Sequence, residues 1–404
     1  MSFESSFVAL FVVATLVTLA ARRLRMPYTV ALVLAGLVIG TTHVLQPPHL
    51  TKALLYSVFL PGLIFEASFH LDTVQFRRNV LTIGALAVPG MLLSGLLIAL
   101  LLGAAHVAPG FGFLDALLFA ALIVATDPIA VTALFKTLGA PERLATLVEG
   151  ESIFNDGAAV AFYTVVLAAA AGGHMTLGGA VRDFVMIAGL GLMLGAAVGA
   201  LTSRFLRKVD DPMIAITVTV IAAYASFIAA ESLHASGVIA TATAGLLAGE
   251  REVRVENARR AVGSFWAYVA FALNSVVFLL IGLEVSVAKL LGSWRLIAIA
   301  WLIVTGVRML LVSSMFGALH STRARVPWSW TVVLGWGGLR GALSMVLALS
   351  LPPDFAYKSI VETMTFGVVV VSILVQGLTM TPLLRWLRIG PHASDASQAK
   401  VVAP

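Results

Sequence analysis

Acidic side chains occur in two neighbouring apolar segments of this sequence. Asp127 lies in FLDALLFAALIVATDPIAVTALF and is followed directly by Pro128. Glu149, Glu151 and Asp156 lie in EGESIFND, at the start of the next long apolar run. A charge at the centre of a bilayer costs at least ~2.5–3.5 kcal/mol on insertion scales, so such acids point to function. Acids in two successive segments predict a polar site held inside a helix bundle.

The second segment places several oxygen-bearing side chains on one face of a helix. Ser152 and Asp156 are four residues apart, as are Glu151 and Asn155, so each pair stacks one turn apart. Ser152, Asn155 and Asp156 offer oxygen ligands and one amide, which suits a hard cation such as Na⁺ better than a soft metal. A structural polar seam between helices is the alternative, but a carboxylate is a costly way to make one. We therefore predict an ion- and proton-binding site centred on Asp156.

The first segment is interrupted by Thr126-Asp127-Pro128. Proline removes a backbone donor and disfavours helix at the preceding residue, which frees carbonyl groups that can coordinate a cation. Asp127 would lie against the N-terminus of the following half-helix, where partial positive charge collects. A simple proline kink with a snorkelling acid is the alternative. We favour the site interpretation because a later segment carries a charge of the opposite sign.

That charge is one of two arginines inside apolar segments. Arg340 lies among glycines in LGWGGLRGALS, where we expect it to cover the carbonyl ends that its own glycine-rich break exposes. Arg308 lies deep in WLIVTGVRMLLVSS and needs a partner, for which Glu151 is the candidate in a structural ion pair. Glu66, near the end of LPGLIFEASFH, is either an acid of an ion funnel or an interfacial acid, and the sequence leaves both open.

The composition is that of a polytopic membrane protein. Of 404 residues, 60% are hydrophobic and 11% are charged, whereas soluble domains carry about 25% charged residues. Cysteine is absent, which excludes disulfides, thiolate metal sites and thiol nucleophiles. We interpret the net charge of +6 as a signal of membrane orientation, not of nucleic-acid binding. We expect a transporter in contact with membrane lipid, not an enzyme, and no cofactor.

Apolar runs of about 20 residues predict an all-α fold with thirteen membrane spans. Spans 1–6 and 8–13 then form two six-helix repeats that enter from opposite sides, which is a common transporter architecture. This arrangement pairs the interrupted fifth span with the twelfth, so the two broken helices are expected to cross. The predicted spans are roughly 6–21, 27–45, 52–69, 79–104, 113–136, 142–171, 177–204, 212–232, 236–249, 261–285, 294–319, 327–351 and 358–384.

The connections between these spans alternate in charge. One set holds 18 Lys and Arg residues and the opposite set holds 5. The positive-inside rule then places the N-terminus outside and the C-terminus in the cytoplasm, as expected for a protein of the cell (inner) membrane. The first five residues lack the basic start of a signal peptide, so the first span is expected to be retained. Residues 390–404 are expected to form a short cytoplasmic tail.

Three motifs together resemble a known family. ATDPIAV, GESIFNDG about 25 residues later and GGLRGALS resemble the monovalent cation:proton antiporters, specifically NhaP-like sodium/proton exchangers. RLRMPYTVALVLAGLVIG and FLPGLIFEAS also resemble N-terminal helices of that family, so the similarity covers nearly all of a membrane domain at 1–389. The resemblance implies Asp156 as the ion and proton carboxylate, with Thr126 and Ser152 as further ligands of transported Na⁺. It also implies ion-proximal positions for Asp127, Asn155 and Glu66, a stabilising pair of Glu151 with Arg308, and a crossing-helix role for Arg340.

The same resemblance implies two bundles and a homodimer. The moving core would comprise residues of about 79–171 and 294–389. Dimerisation and scaffold helices would comprise about 6–69 and 212–285, with a linker helix at about 177–204.

Charge arithmetic predicts the stoichiometry. A lone ionised Asp156 can hold one Na⁺ (or Li⁺) or one proton, and Asn155 supplies no second ionisable acid. We therefore expect electroneutral 1:1 exchange by alternating access. A K⁺/H⁺ exchanger on the same scaffold is the nearest alternative, since ligand distances decide selectivity. A cation channel and an intramembrane aspartyl protease using Asp127 and Asp156 are more remote alternatives.

Overall fold

A computed structural model describes residues 3–24, 26–42, 55–172, 176–249, 252–318 and 326–390, and the regular elements in these ranges are helices. A wider helical turn at Leu55–Phe59 precedes the helix that begins at Leu60, and a short helix at Val287–Gly292 precedes the helix that begins at Trp294. The principal helices are α1 (Phe3–Leu24), α2 (Tyr28–Thr42), α3 (Leu60–His70), α4 (Thr73–Ala104), α5a (Phe113–Ile123), α5b (Ile129–Leu138), α6 (Glu142–Ala170), α7 (Leu177–Leu206), α8 (Pro212–Ser232), α9 (Gly237–Ala248), α10 (Glu256–Glu284), α11 (Trp294–Ala318), α12a (Trp328–Trp336), α12b (Ala342–Leu349) and α13 (Lys358–Trp386).

These helices form thirteen successive segments in the predicted order, with breaks in the fifth and the twelfth. Among the described residues, seven helices are long and apolar enough to cross a membrane, and five more are shorter apolar helices. The fold class expected from the sequence is confirmed. The predicted tail beyond residue 390 and the part of spans 2 and 3 at 43–54 lie outside the described residues.

One boundary difference, of about six residues, is at the start of α4. The sequence predicts a span from about residue 79, whereas the helix begins at Thr73. Its first turns carry polar residues, TVQFRRN, so hydropathy alone does not detect them. The helix begins there because the Asp72 side chain accepts hydrogen bonds from the backbone N–H groups of Val74 and Gln75, which caps the N-terminus.

The packing separates two sets of helices. Helices α4, α5a/α5b, α6, α11, α12a/α12b and α13 pack mainly against one another, and we call them the core set. Helices α1, α2, α3 and α7–α10 form the scaffold set, with especially extensive contacts between α7 and α9 and between α2 and α10. The α2–α10 contact requires glycine, since a Cβ added to Gly36 would lie 2.8 Å from the Cα of Gly282. That only the core set moves stays a prediction.

Candidate ion-binding site

The two breaks lie against each other and satisfy each other's backbone groups. The backbone N–H of Asp127, in the α5 break, donates to the carbonyl of Leu339 in the α12 break at 2.7 Å. In the opposite direction, Nη1 of Arg340 donates to the carbonyls of Val124 and Ala125 at 2.8 and 3.2 Å. The crossing of the two broken helices is therefore a direct, hydrogen-bonded contact.

The partners of Arg340 differ from those expected from the sequence. We expected its guanidinium to cover carbonyls of its own glycine-rich break, and that expectation was wrong. The guanidinium instead reaches the last carbonyls of α5a, the end of the half-helix where partial negative charge collects. Its own backbone N–H donates to Oγ of Ser372 on α13 at 3.1 Å, and Gln376 Nε2, one turn further along, donates to the carbonyl of Trp336 at 3.0 Å.

Asp127 lies at the N-terminus of α5b, as the proline pattern predicts. One carboxylate oxygen, Oδ1, accepts the backbone N–H of Ile129 at 3.0 Å and so caps the half-helix. The other side of the carboxylate is pressed against Gly341 in the partner break. A Cβ at that glycine would lie 2.2 Å from Asp127 Oδ2, so only glycine allows this close approach.

Helix α6 holds the α5 break in place from the side. Ser152 Oγ donates to the carbonyl of Thr126. The Asn155 amide lies 3.2 Å from each of three acceptors, which are the carbonyl of Val124, Oγ1 of Thr126 and Oε1 of Glu151. Asn155 is buried and is not part of the cavity wall described below. Its geometry is therefore that of a residue that positions the break.

Glu151 and Arg308 form a buried, two-pronged ion pair. Nη1 and Nη2 of the guanidinium donate to Oε1 and Oε2 of the carboxylate at 2.7 and 2.8 Å. Nη2 also lies 3.2 Å from the carbonyl of Leu334 in α12a. The pair joins α6 and α11, as expected from the sequence, and the contact with Leu334 also links it to the twelfth segment.

A cavity of about 110 Å³ lies beside the crossing, between the core set and the scaffold set. Its size admits an ion and a few water molecules. Oδ1 of Asp156 is buried and has no hydrogen-bond partner in the part of the chain that the structure describes. The polar residues of the cavity wall are Glu66, Thr126, Asp127, Ser152, Asp156 and Asn274.

Asn274 is the member of this wall that the sequence interpretation missed. It lies on α10 within the run AFALNSVVFLLIG, where it and Ser275 are the polar residues of an otherwise apolar stretch. That interruption was the available signal. The other predicted site residues, Glu151, Asn155, Arg308 and Arg340, surround the crossing without lining the cavity.

The arrangement suits reversible binding of a small cation or a proton. Carboxylate, hydroxyl and amide oxygens of the wall are hard ligands of the kind that alkali and alkaline-earth ions prefer. A buried carboxylate oxygen without a protein partner is expensive to leave ionised, so a cation or a proton bound there is stabilised.

Known proteins are similar to this chain in sequence and in fold. A family model described as sodium/hydrogen exchanger, transmembrane, matches residues 8–386. The Na⁺/H⁺ antiporter ApNhaP of Aphanothece halophytica is 33% identical over 398 residues, covering 97% of this chain and 75% of that protein. NhaP of Pseudomonas aeruginosa, also a Na⁺/H⁺ antiporter, is 36% identical over 352 residues, covering 83% and 81%.

A solved structure has the same fold. The sodium proton antiporter MjNhaP1 of Methanocaldococcus jannaschii, determined at pH 8, superimposes with a TM-score of 0.75 at 18% identity, over 93% of this chain and all of that one. At that identity the similarity concerns the fold.

Proposed function

Because the chain belongs to the transmembrane sodium/hydrogen exchanger family, we propose that it exchanges Na⁺ for H⁺ across a membrane, with Asp156 as the carboxylate that binds either one. The family expected from the sequence motifs is thereby confirmed. The observation that carries the proposed role is the buried Asp156 oxygen without a protein partner, in a cavity at the crossing of two broken helices. The relatives named as Na⁺/H⁺ antiporters support the choice of cargo.

Asp156, Ser152 and Thr126 are the proposed ligands of Na⁺. The Ser152 hydroxyl hydrogen is directed at the carbonyl of Thr126, which leaves its oxygen lone pairs for a cation. Asp127 lines the same cavity with one oxygen committed to the α5b cap. Glu66 lines the cavity from α3 and is the proposed acid that an ion meets next to the site.

The surrounding charges support the proposed stoichiometry. The charge of Glu151 is balanced by Arg308. The negative Asp127 lies at the positive N-terminus of α5b, near the Arg340 guanidinium that binds the carbonyls at the end of α5a. Residue 155 is an amide and cannot titrate. Asp156 is then the group whose charge is neutralised by one Na⁺ or by one proton. An empty, charged site crosses a low-dielectric barrier at high cost, so the proposed exchange is coupled, 1:1 and electroneutral.

The proposed movement carries the crossing as a unit. The breaks are tied to each other through Asp127 and Leu339 and to α6 through Ser152, so these elements shift together against the scaffold set. On α10, residues 276–281 beyond Asn274 are buried, whereas Glu66 lines the cavity near the last turn of α3. The alternation of basic connections supports a cytoplasmic location for the Glu66 side. We propose a cytoplasm-facing state of a homodimer in the cell membrane, with the scaffold set at its interface.

Reconstitution into liposomes tests this function. Na⁺, Li⁺ or K⁺ is added in separate pulses. Na⁺ and Li⁺ should move protons in the opposite direction, at the same rate at every imposed membrane potential, and K⁺ should not. On the acid side the Na⁺ concentration for half-maximal rate should rise about tenfold for each unit by which pH is lowered, because protons and Na⁺ compete by mass action for one carboxylate. A half-maximal concentration independent of pH contradicts the shared site. A response to K⁺ instead of Na⁺ indicates a K⁺/H⁺ exchanger.

A further inference from the structure

We infer that Asn274 on α10 is a specificity-determining residue whose side-chain carbonyl gives Na⁺ an oxygen ligand from the scaffold set. This inference rests on the proposed function, since it concerns the same cavity and the same cargo. It adds a residue that neither the sequence motifs nor the crossing of the broken helices identifies.

Asn274 brings a buried amide to the cavity. Asn274 is only 6% exposed and lines the cavity that Asp156 also lines. Its side chain has no hydrogen-bond partner among residues 3–24, 26–42, 55–172, 176–249, 252–318 and 326–390. Burying an amide without a partner costs free energy, and native structures rarely leave such groups unpaired. The amide is therefore available to what the cavity holds, and its oxygen can bind a cation there.

The ligands around the cavity are unevenly distributed between the two sets of helices. The hydroxyl and carboxylate groups of Thr126, Asp127, Ser152 and Asp156 all come from the α5 break and α6, on the core side. An ion held by these groups alone has no oxygen facing it from α10. Asn274 lies on that helix and is neutral, so it completes the ligand shell without changing the charge arithmetic of 1:1 exchange.

The scaffold offers one other polar side chain to the cavity, and it is already engaged. Glu66 Oε1 lies 3.4 Å from Nδ1 of His70, one turn further along α3. The remaining scaffold-side wall consists of apolar side chains of α3, namely Leu60, Leu63, Ile64 and Ala67. The amide of Asn274 is thus the scaffold group best suited to contact an ion beside Asp156.

Asn274 and the other ligands lie in different sets of helices, so they should contribute differently on the two faces of the membrane. Asn274 belongs to the scaffold set, whereas the other ligands belong to the core set. When the core shifts to its opposite orientation, Asn274 stays behind and no longer reaches the ion. Its contribution to Na⁺ affinity therefore exists only while the cavity faces the Glu66 side. A residue that merely stabilises the fold would show no such difference between the two faces.

Three variants separate these possibilities. Asn274→Leu keeps the branched shape and the number of heavy atoms but removes the oxygen, and Asn274→Ala removes it by truncation, in case the larger leucine prevents folding. Ser275→Ala is the matched control: Ser275 is the next residue, its hydroxyl is also buried without a partner in the described ranges, and it does not line the cavity. Each protein is reconstituted, and vesicles of each orientation are assayed separately at one fixed pH.

For both Asn274 variants we expect the half-maximal Na⁺ concentration to rise about tenfold on the Glu66 face, the usual scale for one lost contact to a charged group. It should not rise on the opposite face, the maximal rate should change much less, and the ratio of Na⁺ to Li⁺ affinity should change. Ser275→Ala should match wild type. Provided that the wild-type protein exchanges Na⁺ for H⁺, the inference is overturned if the half-maximal Na⁺ concentration is unchanged on the Glu66 face or rises equally on both faces. Absence of exchange in the wild-type protein refutes the proposed function instead.

Discussion

Two carboxylates of α6, five residues apart, have opposite surroundings. Both oxygens of Glu151 accept hydrogen bonds from Arg308, and Glu151 is only 2% exposed. Asp156 lines a cavity, and its buried Oδ1 has no partner in the described residues. One acid is committed to a permanent cation of the protein and braces the bundle. The other is left available, which is the condition for taking up and releasing a mobile cation.

The comparison predicts that the two acids fail in different ways when they are changed. Removing Asp156 should remove transport and spare the fold, since no hydrogen bond to the protein is lost. Removing either member of the Glu151–Arg308 pair should damage the fold itself, since the remaining charge is left buried and alone.

The largest expected effect is that of Asp156→Asn on transport. The amide has the same shape but cannot titrate or neutralise a cation, so Na⁺-driven proton movement should fall to the level of protein-free liposomes. The melting temperature in detergent should be equal to wild type or higher, because an uncompensated buried carboxylate has been removed. Asp183→Asn, which changes an exposed acid on α7, is the control and should transport normally. Undiminished exchange by the Asp156 variant would falsify the assignment of the carrier.

The next effect is on stability. Arg308→Met leaves Glu151 ionised and unpaired inside the protein, which should cost about 3–5 kcal/mol and lower the melting temperature clearly. The double variant Glu151→Gln/Arg308→Met removes both charges and should recover much of that loss. Thermal unfolding of purified proteins measures both. If both variants had the melting temperature of wild type, the Glu151–Arg308 pair would not stabilise the helix bundle.

The smallest effect should come from an ion pair outside the membrane spans. Glu252 accepts hydrogen bonds from Arg207, the first residue after α7, and from Oγ of Ser203 in the last turn of α7. Burial alone would raise the pKa of Glu252, but these hydrogen bonds and the nearby positive charge outweigh it and lower the pKa. A lowered pKa means that the small stabilisation is present above the pKa of the unfolded chain and is lost as the pH falls through the folded value.

Glu252→Gln should therefore lower the melting temperature slightly at neutral pH and not at all at acidic pH, since exposed pairs contribute little. Melting curves at the two pH values test this. A loss as large as that of Arg308→Met would show that burial does not separate the two kinds of pair.

Much of this organisation can be predicted from the sequence, because membrane insertion imposes strong local rules. Apolar runs mark the spans, Pro128 and the glycines around Arg340 mark the breaks, and a deep guanidinium requires an acid such as Glu151. Contacts that depend on how the helices are rotated and aligned against one another carry no such local signal. The pairing of Arg340 with the α5 carbonyls is of this kind. At Asn274 the polar interruption marks the residue, but not its position opposite the core ligands.

The crossing also has a consequence for the order in which the protein is made. The carbonyl of Ala125 receives its hydrogen bond from Arg340, which is 215 residues later in the chain. A ribosome releases the first half of the protein into the bilayer long before that arginine has been translated. Unsatisfied carbonyls are costly in lipid, so water or temporary partners must occupy the gap in the fifth segment until then. That segment reaches its final hydrogen bonding only after the twelfth segment has been made.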